Sequence, residues 1–211
     1  MNTRKYEIIR VVAIWTILLS MHVSYGEASS VREVSMDEML IASQFVFEGT
    51  VTAIEAREDS QKRIHTYVTI EIEDVIKGEY RNNCITLSFL GGTVGGVTLR
   101  ISDMQFPQEG EHGIYFVESL ERVQVNPLYG WSQGHFIVRR DDTGCDRIMT
   151  SKGLPIIAVI DEMQGERKVL NREAMPSLSR GIARELVVSK DKKALTMDEF
   201  KRILHERMEE K

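Results

Sequence analysis

His65-Thr66-Tyr67-Val68-Thr69-Ile70-Glu71-Ile72-Glu73 alternates cleanly along its length. Thr66, Val68, Ile70 and Ile72 fall on one side of an extended chain, and His65, Tyr67, Thr69, Glu71 and Glu73 on the other. A period of two marks a half-buried β-strand. Lys77-Gly78 ends it, and Tyr80 to Asn83 supplies a polar turn. Upstream, Phe45, Phe47, Gly49, Val51 and Ala53 share one face against Glu48, Thr50 and Thr52. Gly49 inside that run predicts a bulge or sharp bend, and Arg57 to Arg63 is a charged connection. Downstream come Ile85 to Leu90, Val97 to Ile101, a turn at Pro107-Gln108-Glu109-Gly110, Gly113 to Val117, and at least one strand within Tyr129 to Arg140.

Short strands at this spacing predict a mainly β fold, a small antiparallel barrel closed or nearly so. Closure would remove the unpaired edges that invite aggregation. Ser35-Met36-Asp37-Glu38 has the form of a capping box and predicts a short helix to about Ser43. Thr196-Met197-Asp198-Glu199 repeats the form, and Phe200, Ile203 and Leu204 then make a stripe that docks a C-terminal helix on the barrel. Leu154 to Ile160 is a further candidate strand, and Ser177 to Val188 is expected to be partly helical within a mobile connector. The expected organisation is residues 1–26 as a signal, 35–150 as the barrel domain, 151–195 as connector and 196–211 as the final helix.

Export follows from the first residues. Arg4, Lys5 and Arg10 precede the apolar Val11 to Met21, and small residues at Ser24, Gly26 and Ala28 suit a signal peptidase. The apolar run falls short of the roughly 20 residues a spanning helix needs. The mature chain is therefore expected in the periplasm or outside the cell, with no stable membrane insertion. Losing residues 1–26 moves the net charge from −5 to −7. An acidic chain argues against nucleic acid, whose binding rests on Lys and Arg neutralising phosphates. Cys84 and Cys145 could form one disulfide in an oxidising compartment, worth roughly 2–4 kcal/mol, with two free thiols as the alternative.

Catalytic and metal-binding patterns are missing from the sequence. Gly91-Gly92-Thr93-Val94-Gly95-Gly96 resembles a phosphate cradle, but Val97-Thr98-Leu99-Arg100 continues as a strand and no Gly-Lys-Ser/Thr follows. The loop is expected to be a wide, flexible hairpin connection on the barrel rim. His65, His112, His135 and His205 show no metal-ligand spacing, and no Gly-x-Ser-x-Gly is present. Glu71, Glu73 and Asp74 are expected on a solvated strand face. No cofactor and no metal are expected. Tyr129, Trp131 and Phe136 either cap the core or offer a contact surface.

Glu48-Gly49-Thr50-Val51, Thr66-Tyr67-Val68-Thr69-Ile70, Lys77-Gly78, the double-glycine loop, Phe106-Pro107 with Gly110-Glu111, Tyr115-Phe116-Val117 and Gln133-Gly134-His135-Phe136 together resemble a family of uncharacterised exported bacterial proteins. The match covers about residues 36–140 and the terminal Asp198-Glu199-Phe200. The strand order is also similar to the OB-type barrel of netrin-like domains and tissue inhibitors of metalloproteinases. That similarity implies an OB-like barrel. The inhibitors' N-terminal zinc-chelating cysteine has no counterpart, since no cysteine precedes Cys84.

The reading that results is an exported, non-enzymatic binding module for a protein of the envelope or extracellular space. Gly92, Thr93, Val94 and Gly95, with Tyr129 and Trp131, are the expected contact surface. The alternatives are inhibition of a secreted metalloprotease through the rim loops, and a hydrolase whose site draws on His65, His135 and nearby carboxylates.

Overall fold

A computed structural model describes residues 32–159, the backbone of 186–188, and residues 193–210. The expected signal segment and most of the connector lie outside them. Strands β1 (Phe45–Glu58), β2 (Ile64–Lys77), β3 (Cys84–Leu90), β4 (Gly92–Val94), β5 (Val97–Leu99), β6 (His112–Val117), β7 (His135–Arg140), β8 (Asp146–Thr150), β9 (Ile156–Val159) and β10 (Leu186–Val188) accompany helices α1 (Met36–Ala42) and α2 (Met197–Glu209). Six strands form one antiparallel sheet in the order β3-β2-β1-β6-β7-β8, and β4-β5 and β9-β10 make separate two-stranded pairs. Leu186–Val188 is thus strand where helix was expected.

The sheet carries a core on each face. Val46, Ile114, Phe116, Phe136, Val138 and Ile148 pack against Met36, Met39 and Leu40 of α1 and Phe200 and Leu204 of α2. Phe45, Phe47, Val51, Val68, Ile70, Phe89 and Tyr115 fill the other side, with Met104, Phe106, Leu120 and Leu128 from the connecting loops. Burial of both faces explains why Val46, between two inward phenylalanines, is as buried as they are. Register shifts between Val46/Phe47, Glu48/Gly49 and Val51/Ala53 change the parity of β1 along its length. Ala53 is consequently exposed, and Ile54 joins the second core.

The sheet does not close into a barrel. Its β8 edge is covered by the chain itself: the Ile148 N–H bonds the Leu195 carbonyl and the Thr150 N–H the Leu154 carbonyl. At the other edge, the Leu90 N–H bonds Val125. Each edge strand meets a local segment where a barrel would require it to meet the other.

Both helices start as their sequences predict. The Ser35 hydroxyl accepts the Glu38 N–H, and Thr196 and Glu199 cap each other reciprocally. The end of α1 is held from β2, where the Lys77 ammonium donates to the carbonyls of Leu40, Ile41 and Ser43. A cation at a helix C-terminus both caps its free carbonyls and matches the helix dipole.

The β1–β2 turn is organised by Asp59. Its carboxylate accepts the N–H groups of Arg63 and Gln61 and pairs with the Arg63 guanidinium. The Arg63 N–H, followed by the other donors, lowers the carboxyl from 3.8 to about 2. A pKa depressed in the folded state adds stability that is complete above 3.8 and is lost as the pH falls through about 2. Asp59→Asn is therefore expected to flatten the acid limb of melting temperature against pH in that window. A limb as steep as in the native chain would contradict this.

Candidate functional site

The double-glycine segment is more ordered than expected. Gly92–Val94 pairs with Val97–Leu99, and Gly95 and Gly96 form the two-residue turn with φ of +56° and +81°. Positive φ at both positions is the tight hairpin turn that glycine allows. The Gly91 N–H bonds the Ile64 carbonyl at the base, and Thr93 and Thr98 hydroxyls meet at 2.9 Å across the hairpin. A Cβ at Gly95 or Gly96 would meet nothing within 4 Å, so the tip stands free. Val97 beside it is exposed.

Tyr129 and Trp131 do not share a surface with this hairpin. Gly92 lies against Ala56 near the far end of β1, whereas the Tyr129 N–H bonds Phe116, which pairs with Val46. Ten residues of β1 separate those levels, about 33 Å of extended strand. Tyr129 packs on the helix-covered core, and its hydroxyl donates to Glu38 at 2.7 Å. Trp131 opens a short 3-10 helix, Trp131–Gly134, at φ +59°. Gln133 anchors this corner, accepting the Val34 N–H and donating to the Arg32 carbonyl. Cys84 opens β3 and Cys145 lies just before β8, beside the two opposite edges of the sheet; both are exposed free thiols, the alternative to a Cys84–Cys145 disulfide.

His65 and His135 are likewise apart. His65 on β2 pairs across to Arg57, while His135 on β7 faces Tyr115, which faces Phe47. Two strands and ten positions of register lie between them. His65 Nδ1 is 3.2 Å from the Ser88 hydroxyl, and its Nε2 is 3.4 Å from Asp59, a carboxylate already engaged in the β1–β2 turn. His135 Nε2 donates to Glu111 at 2.6 Å, and its ring stacks on Tyr115. Burial, then Glu111, pushes the Tyr115 phenol far up.

Two features remain that sequence reasoning missed. The first is the β3 edge. The Gly91 N–H points to β2 and the Leu90 N–H to Val125, so along the pleat Cys84, Thr86 and Ser88 direct their N–H and C=O groups away from β2. Beside this row runs a groove of about 230 Å³ between β3 and the 119–127 loop, lined by Thr86, Ser88, Leu120, Val123, Gln124 and Pro127 among others. The Gln124 Oε1 is buried without a hydrogen-bond partner. No residue of β3 is charged, so nothing there discourages a neighbouring strand.

The second is a charged network under α2. Glu48, buried on β1, accepts from His112 Nε2 at 2.9 Å and from Lys201 at 2.7 Å. Lys201 also reaches Asp74 at 2.6 Å, and Glu73 lies 3.5 Å from His112. The hydrogen bond from His112 lowers the Glu48 carboxyl, and the same bond raises the imidazole. Lys201 is raised, burial being outweighed by its bonds to Asp74 and Glu48. Glu73 and Asp74 therefore belong to a network where a solvated face was expected. Glu48, Glu73 and His112 each offer a ligand atom within 4.8 Å of the others, a set able to hold a metal ion. The three come from three strands, so no sequence spacing could have signalled them.

Among the described residues no helix is long and apolar enough to cross a membrane. No protein-family model, curated protein or solved structure matches the chain.

Proposed function

We propose that this chain is an exported, non-enzymatic binding module that takes up an extended segment of a partner protein along the β3 edge. One observation carries the reading. The Leu90 N–H is already bonded to the Val125 carbonyl of the 119–127 loop, and the next outward-directed backbone groups, at Ser88 and Thr86, face the groove. Strand addition draws affinity from main-chain hydrogen bonds and specificity from side-chain pockets. Leu120, Val123 and Pro127 offer apolar contact, and Glu121 and Arg122 stand at the rim. These features favour a segment with alternating apolar residues. In this reading the unpaired stretch of the β3 edge is where the partner enters. The reading of residues 1–26 as an export signal supports a partner in the envelope or outside the cell.

Thr86→Pro tests it. Its N–H points away from β2, so proline there removes a rung for the partner and none from the sheet, and edge strands tolerate it. Extended peptides selected from a displayed library against the mature chain are expected to bind Thr86→Pro at least about tenfold more weakly, a loss of about 1.4 kcal/mol. Val97→Ser, at the free hairpin, should leave binding unchanged. Undiminished binding by Thr86→Pro, or a monodisperse chain that selects no peptide, would overturn the proposal.

A further inference from the structure

We propose that Glu48, Glu73 and His112 form a binding site for a divalent first-row metal ion, independent of the β3 groove. The geometry is that of a ligand set before the ion enters. His112 Nε2 lies 2.9 Å from Glu48 Oε1 and 3.5 Å from Glu73 Oε2. Zinc bound to nitrogen and oxygen at about 2.0–2.2 Å in a tetrahedron sets its ligand atoms about 3.4 Å apart. An ion replacing the proton on Nε2 would thus find both carboxylates about half an ångström or less from that spacing to the imidazole, and all three donors within 4.8 Å of one another.

Each carboxylate is also held by the oxygen that faces away. Glu48 Oε2 is bonded by Lys201, and Glu73 Oε1 by the Thr50 hydroxyl. Such outer partners orient the ligating atoms and keep them from collapsing into other pairs. Charge favours a dication as well: Glu48 and Asp74 share one ammonium, Lys201, and Glu73 adds a third carboxylate beside them. One imidazole with two carboxylates suits zinc, cobalt, iron or manganese, and leaves a coordination position open. Glu48 is buried and Glu73 is 44% exposed, so the pocket has a fixed floor and an open mouth.

The probe is zinc, titrated calorimetrically into the full mature chain, with cobalt substituted for its absorption spectrum. Both use the Cys84→Ser/Cys145→Ser background, because two exposed thiols would otherwise compete. The expected result is one saturable site and a cobalt spectrum of low-coordinate type. Losing an outer-shell partner commonly costs about 10–100-fold in metal affinity, and loss of a ligand should cost at least that. Glu73→Gln and His112→Asn are each expected to show that loss at an unchanged melting temperature without metal for Glu73→Gln. His205→Asn, an exposed histidine on α2, should bind as the parent does. Absence of saturable binding below millimolar zinc would overturn the proposal, as would full affinity retained by both Glu73→Gln and His112→Asn.

Discussion

Phe136→Ala is expected to destabilise the protein by about 3–5 kcal/mol, the usual cost of emptying a buried phenylalanine site. The ring is 1% exposed and lies between Phe116, edge-on at 5.5 Å, and Phe200 of α2 at 5.1 Å. It is thus the contact through which β7 holds the C-terminal helix. Neither neighbour can collapse into the space without leaving its own strand or helix, so the cavity should persist. For a chain of this size about 2–4 °C is lost per kcal/mol, which sets the expected fall in melting temperature near 10 °C. Calorimetry of the variant checks it, and a fall under 3 °C would mean that α2 is not seated on the sheet as described.

Gly49→Ala is expected to cost about 1–3 kcal/mol or more, for a different reason. A Cβ at Gly49 would stand 2.3 Å from the backbone oxygen of Glu71 and 3.0 Å from an Ile70 methyl. The oxygen belongs to the main chain of the paired strand and cannot swing aside. Relief requires β1 and β2 to separate, where β1 is already irregular on either side of Gly49. Urea unfolding should show the loss, and amide exchange should rise around Ile70 to Ile72 rather than in β7 or β8. Native-like stability would place the bulge elsewhere.

Much of the scaffold was legible because it obeys local rules. The alternation at Thr66 to Ile72 gives the central part of β2, and Ile85, Leu87 and Phe89 are buried as their period requires. Ser35 and Thr196 cap the helices that their sequences announce. What escaped depends on contacts distant in sequence. The parity change in β1 comes from register shifts against β2, which no period reveals. Glu48 looks like an outward residue because its strand neighbours Thr50 and Thr52 are polar, yet α2, some 150 positions on, covers it with Lys201. β8 went unread because Asp146-Arg147-Ile148-Met149-Thr150 has no clean alternation; Arg147 is buried through its bonds to Asp141 and the Ala194 carbonyl. The glycine pair at Gly95-Gly96 signalled a hairpin correctly but suggested width where positive φ at both residues makes it tight.

The proposed strand addition at the β3 edge is tested most directly by amide hydrogen exchange, residue by residue, in the free chain and with a selected extended peptide bound. In the free chain the N–H groups of Thr86 and Ser88 should exchange much faster than those of Ile85, Leu87 and Phe89, which face β2. Peptide binding should protect Thr86 and Ser88 and leave the β4–β5 hairpin unchanged. Protection confined to the hairpin, or a bound peptide that leaves Thr86 and Ser88 exchanging as before, would contradict strand addition at this edge.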